Sequence, residues 1–384
     1  MKRICVLAAG LGWKTLEASG STRIAGLDFA PRASSFPAVT CVAQADLRTG
    51  RTFAEHGMVS NGWWSQTLRK PLFWEQSARL VRGPRIWEGL RARGGTVGLF
   101  FFQQSLGESV DACISPAPIH KHGGGMVMAC YTQPSEAEAE LKRRVGSFPL
   151  WRYWGPLASP KVGRRCLDYF MAMSEVVDVD EAYLYLPTLD YMAQKFGPDS
   201  PQHAAALAEF RAQVATLAAF AEKRGALLSV AGDYEITGVT REAVTPNVTL
   251  RRAGLFRVRQ VGGRAYPDFY QSTAFAMCDH EYCVLCGPEA GRAAAVLQST
   301  GEYDPAPGGT AGLAGAEFTL AFAKAGSWCD YRWWTDGREA PDFASHVDIH
   351  NKPGYDPREL YFFNRGKIRG THGRSGEVAV SVPG

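Results

Sequence analysis

Residues 181–232 read EAYLYLPTLDYMAQKFGPDSPQHAAALAEFRAQVATLAAFAEKRGALLSVAG, and this stretch decides the fold class. EAYLYLP (Glu181 to Pro187) and ALLSVAG (Ala226 to Gly232) are short apolar runs bounded by Pro and Gly. Such runs suit strands buried on both faces of a parallel sheet. Between them Ser200 can cap a helix, and Pro201 suits its first turn. Leu207, Phe210, Val214, Leu217 and Phe220 recur at helical spacing. Gly225 ends the helix after Lys223 and Arg224. Strand, helix, strand is a βαβ unit, so the expected class is α/β with a mostly parallel sheet.

The same grammar extends outward. RICVLAA before Gly10 is a first core strand, TVGLFFF (Thr96 to Phe102) another, and AEFTLAFA (Ala316 to Ala323) a fifth. The opening MKRICVLAAGLGW has the basic start of a signal peptide, but its apolar run is at the short limit and no cleavage-like segment follows. Two short helices split at Gly83-Pro84 are expected in Phe73 to Gly95, and another helix begins at Ser135. The expected organisation is one domain over 1–384. Two Gly- and Pro-rich segments, 103–133 and 239–309, are candidate inserted lids or caps.

Composition limits the function classes. The chain has 384 residues, 46% of them hydrophobic and 21% charged, enough for a large core and unlike a disordered chain. A net charge of +4 with no long basic run gives no case for nucleic acid, and no apolar run is long enough for a membrane span. The nine cysteines, an odd number, are scattered rather than framed as disulfides. They point to reduced thiols and a cytoplasmic location.

Ligands of open α/β sheets sit beyond the carboxyl ends of the strands. Several motifs fall there or near the expected insertions. SHVDIHNKP places His346, Asp348 and His350 at alternating positions, so an extended chain turns all three to one side. AFAMCDHEYCVLCG sets Asp279-His280 at the start of an apolar strand, among Cys278, Cys283 and Cys286. Those cysteines suit buried thiols better than an iron–sulfur run. IHKHGGG (Ile119 to Gly125) is better read as a turn than as a metal or phosphate loop, and GLGWKTLEASG lacks the third glycine of a dinucleotide fingerprint.

PAVTCVAQADLRTG followed by EHGMVSNGWW resembles the nucleophile segment of the nucleotide pyrophosphatase/phosphodiesterase branch of the alkaline phosphatase superfamily. FWEQSARLVRGPRIWE, YLPTLDYMAQKFGP, APDFASHVDIHNKPGYDPREL and GTHGRSGEVAVSVP are similar to further signatures of its bacterial members. The resemblance implies an alkaline-phosphatase-like three-layer sandwich, two zinc ions and attack on phosphorus by a threonine or serine. It places Thr40 at the nucleophile and Asn61, 21 residues on, at a donor to a phosphoryl oxygen. It places Asp190, Asp233 and His372 at metal ligands. Three positions where it implies ligands hold Ala9, Gln194 and Tyr234 instead. Alanine offers no donor, and glutamine and tyrosine are poor zinc ligands.

The resulting expectation is a metal-dependent hydrolase of a phosphodiester, pyrophosphate or related phosphorylated small molecule. Thr40 and Asn61 are catalytic. Gln194, Tyr234, Asp279 and His280 contact substrate. Asp190, Asp233 and His372, with replacements from His346, Asp348 and His350, hold at most one divalent metal tightly, zinc by the family pattern. The alternatives are a metal-poor relative that binds a phosphorylated ligand or a partner without hydrolysis, or a biosynthetic enzyme with altered chemistry in the same cleft. The sequence leaves the oligomeric state open.

Overall fold

The computed structural model describes residues 1–123, 125–155, 157–305, 318–345 and 368–382. A nine-stranded mixed sheet forms its centre. Its order is Tyr131–Gln133, Ala112–Ser115, Val97–Phe100, Glu181–Leu186, Arg3–Ala8, Leu227–Gly232, Glu377–Ser381, Leu27–Ala33 and Arg23–Ile24. The strands from Ala112–Ser115 to Leu227–Gly232 run parallel, and the outer ones pair antiparallel. The α/β reading holds. The opening apolar run is a central strand, buried at Ile4, Val6, Leu7 and Ala8.

The two strands of the 181–232 unit are parallel but not adjacent, because Arg3–Ala8 lies between them. The connecting helix is Pro201–Arg224, with Ser200 accepting from the His203 N–H at 3.2 Å and Gly225 left-handed at its end. Leu207, Phe210, Val214 and Leu217 are buried, each worth roughly 1.5–3 kcal/mol. Among the described residues no helix is long and apolar enough to cross a membrane. All nine cysteines are free thiols.

Three expectations are corrected. Phe318–Ala323 belongs not to the central sheet but to a second, antiparallel sheet ordered Phe275–Asp279, Tyr282–Cys286, Phe318–Ala323, Tyr303–Pro305. A continuous apolar run reports burial on both faces, and a second core buries a strand as fully as the first. That second core gathers Phe275, Met277, Val284, Leu285 and Phe322 around Val39, Cys41 and Val42. In the 73–95 stretch two short helical segments do flank Gly83-Pro84, but the first, Ala78–Leu80, is a 3₁₀ turn and the second, Glu88–Ala92, a short α-helix. Asp279 ends its strand rather than starting one, and His280-Glu281 is a two-residue turn before Tyr282.

Candidate active site

Three parallel strands deliver the site. Ala8 pairs with Leu186 on one side and Gly232 on the other, so Ala9, the Pro187–Asp190 turn and Asp233 leave the same edge. Gly10 turns away with φ +69, a conformation that glycine adopts without strain, and this brings its N–H to Asp233 Oδ1 at 2.8 Å. Asp233 also accepts from the Tyr234 N–H at 2.7 Å and the Tyr185 hydroxyl at 3.0 Å. Burial pushes its carboxyl well above the usual range, against these hydrogen bonds.

Thr40 is the first residue of the helix Thr40–Thr49, which ends at left-handed Gly50. The extended Val39 in the capping position supplies no side-chain cap. Asn61 does this work from a distance, its Oδ1 accepting from the Cys41 N–H at 3.0 Å. The Asn61 amide and backbone nitrogens donate to Asp279 at 3.0 and 2.6 Å, and the Ser60 hydroxyl adds a bond of 2.8 Å. Asn61 thus ties the helix start to the second sheet through Asp279. Burial lifts the Asp279 carboxyl to about 6 in spite of these donors. Farther along the helix, buried Arg48 bonds the Gln44 and Gln104 carbonyls, which fixes the helix to the chain beyond Val97–Phe100.

The Thr40 hydroxyl lies 3.3 Å from that of Tyr234, which donates to Asp190 Oδ1 at 3.1 Å. Gln194 Nε2, one turn on in the helix Asp190–Phe196, donates to the same oxygen at 2.7 Å. Gln194 Oε1 is buried and has no hydrogen-bond partner among the described residues. Burial raises Asp190 to about 6, against the bonds from Gln194 and Tyr234.

His372 completes the cluster. Its ring stacks on that of Tyr234 at 3.8 Å, the two planes 6° from parallel, and lies 3.7 Å from that of His280. Its Nδ1 bonds the Ala38 carbonyl at 2.8 Å, so this nitrogen carries the proton and Nε2 faces Asp190 Oδ1 at 4.0 Å. Burial depresses His372 to about 3, so this contact joins a neutral imidazole to the carboxyl and is no ion pair. His280 is also held neutral, by burial and by His372 beside it. It takes φ +57 in its hairpin turn, where glycine or asparagine is the usual choice. Strained backbone of this kind gathers at functional sites.

These side chains face one cavity of about 60 Å³. Ala9, Thr40, Asp190, Gln194, Tyr234, His280 and His372 line it. The structure therefore brings together Thr40, Asp190, Gln194, Tyr234, His280 and His372. Asp233, Asn61 and Asp279 lie behind this lining, held by their own hydrogen bonds. His346, Asp348 and His350 lie outside the described residues. Sequence reasoning missed Tyr185 and Trp74, which also line the cavity. Tyr185 stands near the carboxyl end of EAYLYLP, and Trp74 stands in the signature FWEQSARLVRGPRIWE, so both had a legible signal.

The donors decide which metal complement fits. On the Thr40 side Ala9 offers nothing, and Asp233 is engaged by two N–H groups and a phenol. Two ions do not fit these residues. On the other side Asp190, neutral His372 and the unpartnered Gln194 Oε1 fit one divalent ion, with Gln194 as the weak third donor. Among the described residues no three His, Cys, Asp or Glu side chains are placed to hold a metal.

This fold recurs in solved structures. Phosphonoacetate hydrolase from Sinorhizobium meliloti 1021, in complex with phosphonoformate, aligns with a TM-score of 0.61 at 13% identity, over 99% of this chain and 89% of that one. Murine ectonucleotide pyrophosphatase / phosphodiesterase 5 aligns with a TM-score of 0.57 at 12% identity, over 99% and 88%. Such low identity establishes the alkaline-phosphatase-like fold alone. No curated protein matches the chain. Residues 24–356 match the type I phosphodiesterase / nucleotide pyrophosphatase family, and the chain belongs to that family.

Proposed function

We propose that this chain is a hydrolase of a phosphorylated small molecule, with Thr40 as the attacking group and no more than one divalent ion. The contact that carries this reading is the chain of hydroxyls from Thr40 through Tyr234 to the buried Asp190 at the cavity wall. Family membership supports the reaction class. The solved relatives that hold phosphonoformate and AMP support a small phosphorylated ligand.

Tyr234 donates its proton to Asp190, so its oxygen accepts from the Thr40 hydroxyl. That bond fixes the rotamer of Thr40 and leaves a lone pair of Oγ1 for phosphorus. As Oγ1 bonds to phosphorus, the bond from phosphorus to the leaving oxygen breaks, the Thr40 proton passes to Tyr234 Oη, and the phenol proton moves to Asp190 Oδ1. The leaving oxygen takes up a proton and departs as an alcohol, and water then cleaves the phosphothreonine, which restores Thr40 and releases the phosphoryl group. A threonine needs such help, because its free hydroxyl is a weak nucleophile. The start of the Thr40 helix favours the anionic phosphoryl oxygens. An ion bound by Asp190, Gln194 and His372 would supply a Lewis acid to one of those oxygens. In the same reading residues 103–133 cover the cleft, with Gln103 and Pro116 on its wall.

The test pairs elemental analysis of protein purified without chelator with hydrolysis of a chromogenic phosphodiester. We expect at most one equivalent of metal per chain, lost in His372→Ala, and turnover lost in Thr40→Ala. Two equivalents of zinc would overturn the metal assignment. Undiminished turnover in Thr40→Ala would overturn the nucleophile.

A further inference from the structure

The cavity beside Thr40, about 60 Å³, is far below the roughly 300–1,000 Å³ usual for a whole small-molecule site. A second cavity of about 720 Å³ adjoins it, and Trp74 and Gln76 line both. The 116–118 segment continues the shared wall, Pro116 facing the inner space and Ala117 and Pro118 the outer. The outer volume lies within the usual range for small-molecule sites, about 300–1,000 Å³.

The partition between the two is built rather than accidental. Trp74 takes φ +56, a left-handed conformation that is an outlier for a bulky residue. Its N–H bonds the Asn61 carbonyl at 3.1 Å, and its carbonyl accepts from Gln76 Nε2 at 2.8 Å. Trp74 is therefore pinned to the same Asn61 that caps the Thr40 helix. The outer wall is mostly apolar: Leu72, Phe73, Leu106, Ile119 and Tyr131 stand beside Ala117 and Ala129. Its titratable members include the carboxylates Glu75 and Glu138 and the imidazole of His120, and among the described residues no Lys or Arg lines it. Such a wall favours apolar area and opposes a second anionic group.

We propose that this outer cavity is the subsite for the organic substituent on the phosphorus, and that it selects an apolar aromatic group over one carrying a further phosphate. The subsite rests on the hydrolase reading above for its role in turnover. Trp74 acts as the divider that lets the phosphoryl head pass inward while the aromatic body stays outside.

Calorimetry with methylphosphonate and phenylphosphonate tests it, because the two differ by one aryl group and neither carries a second organic substituent. We expect phenylphosphonate to bind about tenfold tighter or more. Ala129→Trp and Ala117→Trp each fill the outer space. Both should erase the phenyl advantage, and thermal melting reports that the variants fold. Equal binding of the two by the parent, a phenyl advantage that survives both variants, or tighter binding of inorganic pyrophosphate than of phenylphosphonate overturns the subsite. Hydrolysis of a chromogenic phosphodiester by the parent tests the hydrolase reading separately, so failure of one is distinguished from failure of the other.

Discussion

Asp233 and Asp190 leave the same sheet edge on opposite sides of the Arg3–Ala8 strand. Asp233 spends its oxygens on the N–H groups of Gly10 and Tyr234 and on the Tyr185 hydroxyl. Asp190 accepts from two side chains, Gln194 and Tyr234, both on one oxygen, and it lines the cavity with Thr40. A carboxylate bound to backbone N–H groups holds the chain in place. One bound to side chains remains open to a ligand. The family resemblance assigns both residues the same task, and the geometry separates them.

The largest effect that would break or keep this contrast is at Thr40. Thr40→Ala should lower turnover of a phosphodiester on the order of 10⁴-fold, with thermal stability changed by no more than about 1 kcal/mol. A loss under tenfold would remove the Asp190 side from the chemistry.

Asp233→Ala should then cost about 4 kcal/mol of stability in urea unfolding, because three buried donors lose their acceptor. Asp190→Ala should cost about 1 kcal/mol and abolish turnover instead. Equal destabilisation by the two changes would erase the distinction.

Asp279 sharpens it through pH. Its folded carboxyl lies at about 6, above the ~3.9 of an unfolded chain. The folded protein therefore holds this proton more tightly. The resulting stability is whole below about pH 4 and is lost as pH rises through about 6, a change of about 3 kcal/mol. Urea melts of the parent and of Asp279→Asn at pH 4 and pH 7 measure it. The parent should lose more stability between those values, and identical losses would refute the assignment.

The smallest expected effect is Tyr234→Phe, which removes the bridge between Thr40 and Asp190 and keeps the ring against His372. Turnover should fall about 10²-fold, with melting nearly unchanged. An unchanged rate would mean that the phenol only fills space.

Much of this molecule was legible in its residues. The apolar runs ending at Ala8, Leu186 and Gly232 announced the parallel centre, since burial on both faces leaves a continuous hydrophobic signature. Thr40, Asp190, Gln194, Tyr234 and His372 were found because each stands in a motif shared with a family. The strand Glu377–Ser381 was not singled out, because its mixed character signals nothing without its partners. Phe318–Ala323 went to the wrong sheet for the opposite reason, as hydrophobicity does not say which core receives it. The ring contacts of His280 and the twisted backbone of Trp74 depend on tertiary placement and leave no periodic mark.

Glu377–Ser381 has one more consequence, for the order of assembly during synthesis. Among the described residues it alone links Leu227–Gly232 to the early strand Leu27–Ala33 in the sheet. Ser34 and Gly376, which bond beside it, stand 342 positions apart. A ribosome emits about 5–20 residues each second, so the early strand waits on the order of 20 to 70 seconds for its neighbour. Throughout that interval its edge is open to foreign strands. His372 emerges only a few residues earlier, so the nascent chain acquires the cluster that lines its cavity and its closed sheet in nearly the same moment.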